Sequence, residues 1–374
     1  MTTGTGPRAS DPPSRPTVAL VDLGRTNALG ARGRRLGLRA SLDLLGADTV
    51  ELAVLPHHRS GAAEVLRRLP AVVRGRVTPE SLAWSPQQVR AELDRLHPAV
   101  VICETSRTFD PALVGPWLLA LDLVDRLSVS YGDRVAHEPS PLKRWRYRAL
   151  ARPQRRFEAR LPPGVDLGFA AGRRDADELG LAWVPIVVAE QAVVRDPDRF
   201  DVDLAFVGTL DYPPNVEAVD HLDRLWPALR RRRPDLRVLI AGARPVAAVR
   251  EAAARNGWEL LADFADVGAV YPRVRIAVAP LVHASGIQNK VMEATSWSVP
   301  LIVSPVVTEG LDPDYPVRVA TDERSWVDAV DDLVGDPEAA GALADRARRH
   351  LATHYTPAAG AELLRSLLGP ALLG

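Results

Sequence analysis

A single cysteine, Cys103, is all the thiol chemistry this chain has. That scarcity excludes an internal disulfide, a zinc ribbon and a thiol redox pair. No apolar run approaches the ~20 residues that a membrane-crossing helix requires. Neither sign of charge is in excess: 47 Lys+Arg balance 47 Asp+Glu, so no bulk field argues for a nucleic-acid partner. Residues 1–16 lack an apolar core and read as a disordered leader, not a signal peptide. A cytoplasmic monomer or dimer is the expectation. The eight histidines are read as scattered, with no HxxxH pair or carboxylate clustering, so no metal site is predicted.

Lysine is the scarcest charged residue. Of 47 basic residues only Lys143 and Lys290 are lysines. The skew towards Ala, Arg and Pro suggests a GC-rich bacterial genome, and a lysine that persists in such a chain is read for its chemistry. What is abundant is ordinary: 47% hydrophobic and 25% charged residues describe a globular protein. A length of 374 residues suits two domains better than one core.

Apolar runs alternate with helical patterns along the chain. Strands are expected at Val18–Val21, Val50–Leu55, Ala99–Cys103 and Trp117–Leu123, with weaker ones at Asp166–Ala170 and Ala182–Val188. Helices are expected after the first strand through Leu45, over Gln87–Leu96 and over 141–161. The second half repeats the plan, with strands at Leu204–Val207, Arg237–Ala241, Ile276–Ala279 and Leu301–Val303. Its helices are expected at Asn215–Arg231, Pro245–Asn256, Gly286–Trp297, 322–334, 337–354 and 357–368. This alternation predicts two doubly wound α/β domains, 17–190 and 191–374, whose strand ends face one cleft.

The most informative stretch is His283–Leu311, which reads strand, polar loop, helix, strand. Ligands bind such units outside the carboxyl ends of their strands. Gly286 allows close backbone approach, the helix start favours an anion, and Lys290 adds a point charge. Glu293 lies three residues on, on the same helix face, and can accept both hydroxyl protons of a ribose. These groups suit a nucleotide diphosphate.

Gly286-Ile-Gln-Asn-Lys-Val-Met-Glu-Ala294, with Val299–Ser304 and Glu309-Gly310-Leu311, resembles the donor site of family 4 glycosyltransferases, in the bacterial branch with a Gly-Ile-Gln-Asn-Lys-x-x-Glu motif. Asp203–Ala218, Pro234–Gly242, Gly30–Arg35 and Asp122–Ser128 resemble further segments of those enzymes, so the likeness runs from Thr17 to Leu368. It implies the GT-B fold and a retaining, metal-independent transfer from a nucleotide sugar, of the UDP, GDP or dTDP type, to a small-molecule or glycan acceptor. No cofactor is implied beyond that co-substrate. The closing helices are implied to pack back across both domains.

The resemblance also assigns residues. Gly208 and Thr209, Gly286, Lys290, Glu293 and the Glu309-Gly310-Leu311 turn fall at donor-binding positions. Gly30 and Arg32, in a glycine loop that opens a helix, are added to them. Relatives place an Arg after the first of these glycines and a Lys about six residues on, where this chain has Thr209 and Asn215. The diphosphate's counter-charge is then left to Lys290 or to an Arg elsewhere. Relatives often carry a Glu where Ser285 stands, which leaves His283 and Ser285 facing the sugar. Asp125, with Asp122 before it, matches a loop that approaches the anomeric centre and could orient or deprotonate an acceptor hydroxyl. Lys143–Arg160 holds eight basic residues interleaved with Trp145, Tyr147 and Phe157. It reads as a solvated helix or as a weak contact with an anionic membrane surface. Two other readings remain open: a hydrolase or epimerase acting on a nucleotide sugar, and a nucleotide-binding relative without turnover.

Overall fold

The computed structural model describes residues 15–24, 29–124, 126–138, 140–191, 200–284 and 286–372, with the side chains of 29–32, 133, 136 and 137 outside the description. The first unit is built on β1 (Thr17–Asp22), α1 (Leu29–Leu44), β2 (Asp48–Ala53), α2 (Ala62–Val73), α3 (Pro86–Leu96), β3 (Val100–Glu104) and β4 (Leu118–Leu123). It continues through α4 (Leu127–His137), α5 (Pro141–Glu158), β5 (Leu167–Ala170), α6 (Arg173–Leu179) and β6 (Ala182–Trp183). The second runs β7 (Val202–Val207), α7 (Pro213–Arg232), β8 (Val238–Gly242), α8 (Ala247–Asn256), β9 (Glu259–Ala262), β10 (Val274–Ala279), α9 (Asn289–Ser296), β11 (Leu301–Val303) and α10 (Pro305–Thr308). It closes with β12 (Arg318–Val319), α11 (Glu323–Gly335), α12 (Pro337–His354) and α13 (Pro357–Leu372).

Both sheets are six-stranded, ordered β2-β1-β3-β4-β5-β6 and β12-β11-β10-β7-β8-β9, and every pairing in them is parallel. Parallel sheets covered by helices on both faces need strands apolar throughout. The central strands meet that need, since β3 and β7 are buried at every position. In each sheet the strand order reverses once, between β1 and β3 and between β10 and β7. Crevices at carboxyl ends form at such reversals.

The expected strands all exist, with ends shifted by at most two residues except that Ala182–Val188 shrinks to two residues, because Pro185 offers no ladder N–H. Two short edge strands, β9 and β12, and helices α2, α4, α6 and α10 go beyond the expected elements. The helix expected to open at Gly286 starts three residues later. Gly286 has φ +61°, outside right-handed helix space, and Gln288 is extended at the cap.

The two units touch through backbone. A Cβ on Gly172 would lie 3.1 Å from Gly286 Cα, and one on Gly310 would lie 2.2 Å from the Gly286 carbonyl oxygen. The amides of Arg173 and Arg174 donate to the carbonyls of Gly310 and Glu309 at 3.2 and 3.3 Å. Ala171 and Ile186 of the first unit join the core of the second. The last helix goes the other way: Leu364 and Leu368 of α13 are buried with Leu38 and Leu42 of α1. Though it follows the second sheet in sequence, α13 completes the first unit's core. Among the described residues no helix is long and apolar enough to cross a membrane.

Candidate functional site

At the reversal of the second sheet, β7 ends at Val207 and hands on to Gly208 and Thr209, while the loop after β10 leads to α9. Asn215, buried on the first turns of α7, joins the two. Its Nδ2 donates to the Thr209 carbonyl at 2.9 Å, and its Oδ1 accepts from Lys290 Nζ at 2.7 Å. Gly208 is required by this arrangement, because a Cβ there would sit 2.8 Å from Asn215 Nδ2. The same ammonium lies 4.9 Å from the centroid of the Phe206 ring, a favourable cation–π placement. Asn215 stands where relatives carry a Lys. In the structure both faces of its amide are engaged, and it positions Lys290.

Burial pushes the Lys290 ammonium down to about 8, against the opposing pull of the nearby Glu293 carboxylate. A cation in the first turn of a helix opposes the helix dipole. The same place beside unpaired helix-start amides is well suited to an anion. Glu293 is half-buried on the same helix face. Burial raises its pKa, Lys290 opposes the rise, and Asp266 adds to it. Tyr271, beneath the helix, directs its hydroxyl to the Lys290 carbonyl at 3.4 Å.

The other expected donor residues divide. Gly286 and Gly310 are in backbone contact, so the Glu309–Leu311 turn supports the Gly286 loop. The Glu309 carboxylate, expected on the donor, is ion-paired with Arg174 of the first unit. Leu311 is 2% exposed and belongs to the core, where its buried apolar side chain holds the turn. His283 Nε2 stands 4.0 Å from Glu217 Oε2. Ser285 and Asp125 lie outside the described residues. Gly30 falls inside the first turn of α1 together with Arg32, whose side chain is outside the description.

At the reversal of the first sheet stands a charged cluster that sequence reasoning missed. Arg34 donates Nε and Nη2 to the two oxygens of Asp122, at 2.9 and 3.0 Å, and Nη1 to the Pro185 carbonyl at 2.6 Å. Both side chains are buried. Burial raises the Asp122 pKa and Arg34 opposes that rise. Asp122 is therefore an interior ion-pair partner, and the acceptor role considered for it is not supported by this placement. Arg35 reaches Asp22 at 3.1 Å, Glu104 at 3.3 Å and Glu51 at 3.6 Å. Burial pushes Glu104 up to about 7, with Arg35 opposing and Asp122 and Asp22 reinforcing. Its Oε1 is buried without a hydrogen-bond partner. A carboxylate with a pKa near neutrality at a strand end is a candidate acid or base. The signal available in advance was Arg34-Arg35 following the glycine loop, but their partners are 69 and 88 residues away.

The expectation that the histidines are scattered is also corrected. His350-Leu-Ala-Thr-His354 is an HxxxH pair on α12, and Asp312 lies beside it.

Residues 201–336, which include Asn215, Lys290 and Glu293, match the family model described as glycosyl transferases group 1. No curated protein matches the chain by sequence. Solved structures match along almost its whole length. Sucrose-phosphate synthase (tll1590) from Thermosynechococcus elongatus superposes with a TM-score of 0.64 at 14% identity, covering 95% of this chain and 100% of its own. Anabaena Alr3699/HepE, solved in complex with UDP and glucose, gives 0.62 at 11% identity with the same coverage, 95% and 100%. The S. aureus MnaA-UDP co-structure gives 0.53 at 14% identity, covering 95% and 97%. The fold is thus GT-B, and the half that holds Lys290 matches the group 1 glycosyl transferase model over residues 201–336.

Proposed function

We propose that the protein transfers a sugar from a nucleotide-sugar donor, with the diphosphate held by Lys290 and the ribose by Glu293. The observation that carries this reading is the Asn215–Lys290 contact. It fixes an ammonium at the carboxyl end of β7, in the first turn of α9, within the group 1 segment. The UDP and UDP-glucose bound by Anabaena Alr3699/HepE support a uridine donor, with GDP and dTDP donors to be tried beside it. Lys290 meets the phosphate charge as a point cation, and in this reading it does so without a divalent ion. The acceptor enters from the first unit, where Asp125 and Glu104 are the carboxylates proposed to engage its hydroxyl, while His283 and Ser285 face the sugar. The likeness to retaining family 4 enzymes supports retention of anomeric configuration. The exposed Leu142 and Trp145 of the basic helix α5 suit a weak contact with an anionic membrane.

The test is turnover of UDP-, GDP- and dTDP-sugars with and without an acceptor panel, with product stereochemistry read by NMR. Transfer only with acceptor, and loss of it in Lys290→Met, is the expected result. Free sugar or an epimer formed from donor alone would point to the hydrolase or epimerase reading. Binding of a nucleoside diphosphate without turnover on any acceptor would point to a non-catalytic relative.

A further inference from the structure

Three side chains away from Lys290 converge on one point. Asp312 leaves the turn that supports Gly286, and His350 and His354 lie one helical turn apart on α12. A ligand-type atom of each lies within 4.8 Å of the other two, and all three residues are half-buried. His350 Nε2 is 3.4 Å from Asp312 Oδ2. Two ligands each about 2.0–2.1 Å from a tetrahedral ion sit roughly 3.3 Å apart, so this pair is already at bridging separation. The two imidazole rings are 4.7 Å apart, centroid to centroid. His350 Nε2 is buried, and Asp312 Oδ2 faces it without the geometry of a hydrogen bond. Asp312 Oδ1 accepts the Asp314 amide at 3.3 Å, leaving Oδ2 towards the histidines. The rings of Tyr315 and Tyr355 wall the group at 5.2 and 6.0 Å from that of His350.

We propose that Asp312, His350 and His354 bind a divalent transition-metal ion of the zinc class. Two imidazoles and one carboxylate are a donor set that zinc accepts, with a fourth position left to water. The location argues for bracing rather than for a reacting centre. Asp312 N donates to the Tyr355 hydroxyl at 3.2 Å, and the Tyr355 carbonyl accepts the Val188 amide at 2.8 Å. The Tyr355 ring packs edge-on against Trp183 of the first unit at 5.9 Å. An ion here ties the turn beneath the Gly286 loop to α12 and, through Tyr355, to the segment that joins the two units. The inference does not depend on the donor reading, since its evidence and its test involve neither Lys290 nor a nucleotide.

The full chain without a histidine tag, stripped with chelator and dialysed, is titrated with Zn2+ by calorimetry and with Co2+ by visible absorption. One equivalent per chain is expected, with the d–d bands of a four- or five-coordinate site. Asp312→Asn and His354→Gln should each weaken binding at least tenfold, and metal should raise the Tm of the wild type more than that of either variant. Absence of stoichiometric Zn2+ and of Co2+ bands in the wild type would overturn the proposal. So would folded variants that bind as tightly as the parent. If a variant fails to fold, the wild-type Co2+ spectrum alone decides.

Discussion

Lys290 and Glu104 illustrate how burial turns ordinary side chains into tuned ones. With burial holding Lys290 near 8, the free protein loses this charge at mildly alkaline pH. Nucleoside diphosphate affinity should then fall by up to about tenfold per pH unit above 8, because binding requires the protonated form. Calorimetry from pH 7 to 9.5 checks this, and in Lys290→Met the slope should vanish. For stability the sign is that of a base whose folded pKa is lowered. The cost of keeping Lys290 charged is greatest below about 8 and is relieved as pH rises from about 8 towards the unfolded value of 10.5. Glu104 behaves oppositely. Its folded pKa of about 7 stands above the ordinary carboxylate value of 4.5, so its contribution is full below about 4.5 and is lost as pH rises through about 7. Glu104→Gln should flatten the decline of Tm between pH 5 and 7; an unchanged profile would show that Glu104 is not the titrating group. At Glu293, replacement by Ala should weaken nucleoside and nucleoside diphosphate alike, by roughly 1–3 kcal/mol for lost hydrogen bonds to a charged acceptor.

These residues differ in how visible they were. Lys290 and Glu293 stand in one short motif with their spacing intact, so local sequence was enough. Asn215 was noticed only as a departure from relatives, because its bond to Lys290 closes across 75 residues. The Arg34–Asp122 and Arg35–Glu104 pairs left only the Arg34-Arg35 dipeptide as a local trace, with partners 88 and 69 residues away. The HxxxH pair was local and was passed over. Asp312 completes its cluster from 38 residues away, a juxtaposition that only the fold reveals.

Among elements, α9 and the turn after α10 form one mechanical unit. Gly286, Gly310 and Gly172 meet backbone to backbone, and the contact atoms are not flexible side chains that could give way. Gly310→Ala should therefore destabilise the protein by about 1–3 kcal/mol, the usual cost of overpacking. It should also weaken nucleotide binding by displacing the Gly286 loop. Chemical denaturation and calorimetry on the same variant separate the two effects. The start of α9 was misjudged from sequence because Gly286-Ile-Gln can be read as helix or as loop. The left-handed φ at Gly286 decides it. The buried strands were plain in sequence because fully covered parallel strands are continuous apolar runs. The short edge strands, β9 and β12, are half-exposed or exposed and carry no such run.

For the whole molecule, strand–helix alternation made the two doubly wound sheets legible, and the strand-order reversals put one charged cluster at each crevice. What no periodicity announced is that α13 returns to the first unit. Leu364 is fully buried against α1. Leu364→Ala should cost about 2–5 kcal/mol, and the loss should appear in protection of β1 and β3 amides by hydrogen exchange, because those strands share its core. Exchange confined to the second sheet would contradict that packing.

The central claim is that a lysine set by Asn215 at the end of β7 holds a donor diphosphate. The direct measurement is calorimetric binding of UDP, GDP, dTDP and the matching nucleosides to wild type and Lys290→Met, at low and high salt. The account predicts that at least one diphosphate binds the wild type, that the variant loses affinity for it far more than for its nucleoside, and that salt narrows the gap. Equal loss for diphosphate and nucleoside, or no binding of any diphosphate to the wild type, would contradict it.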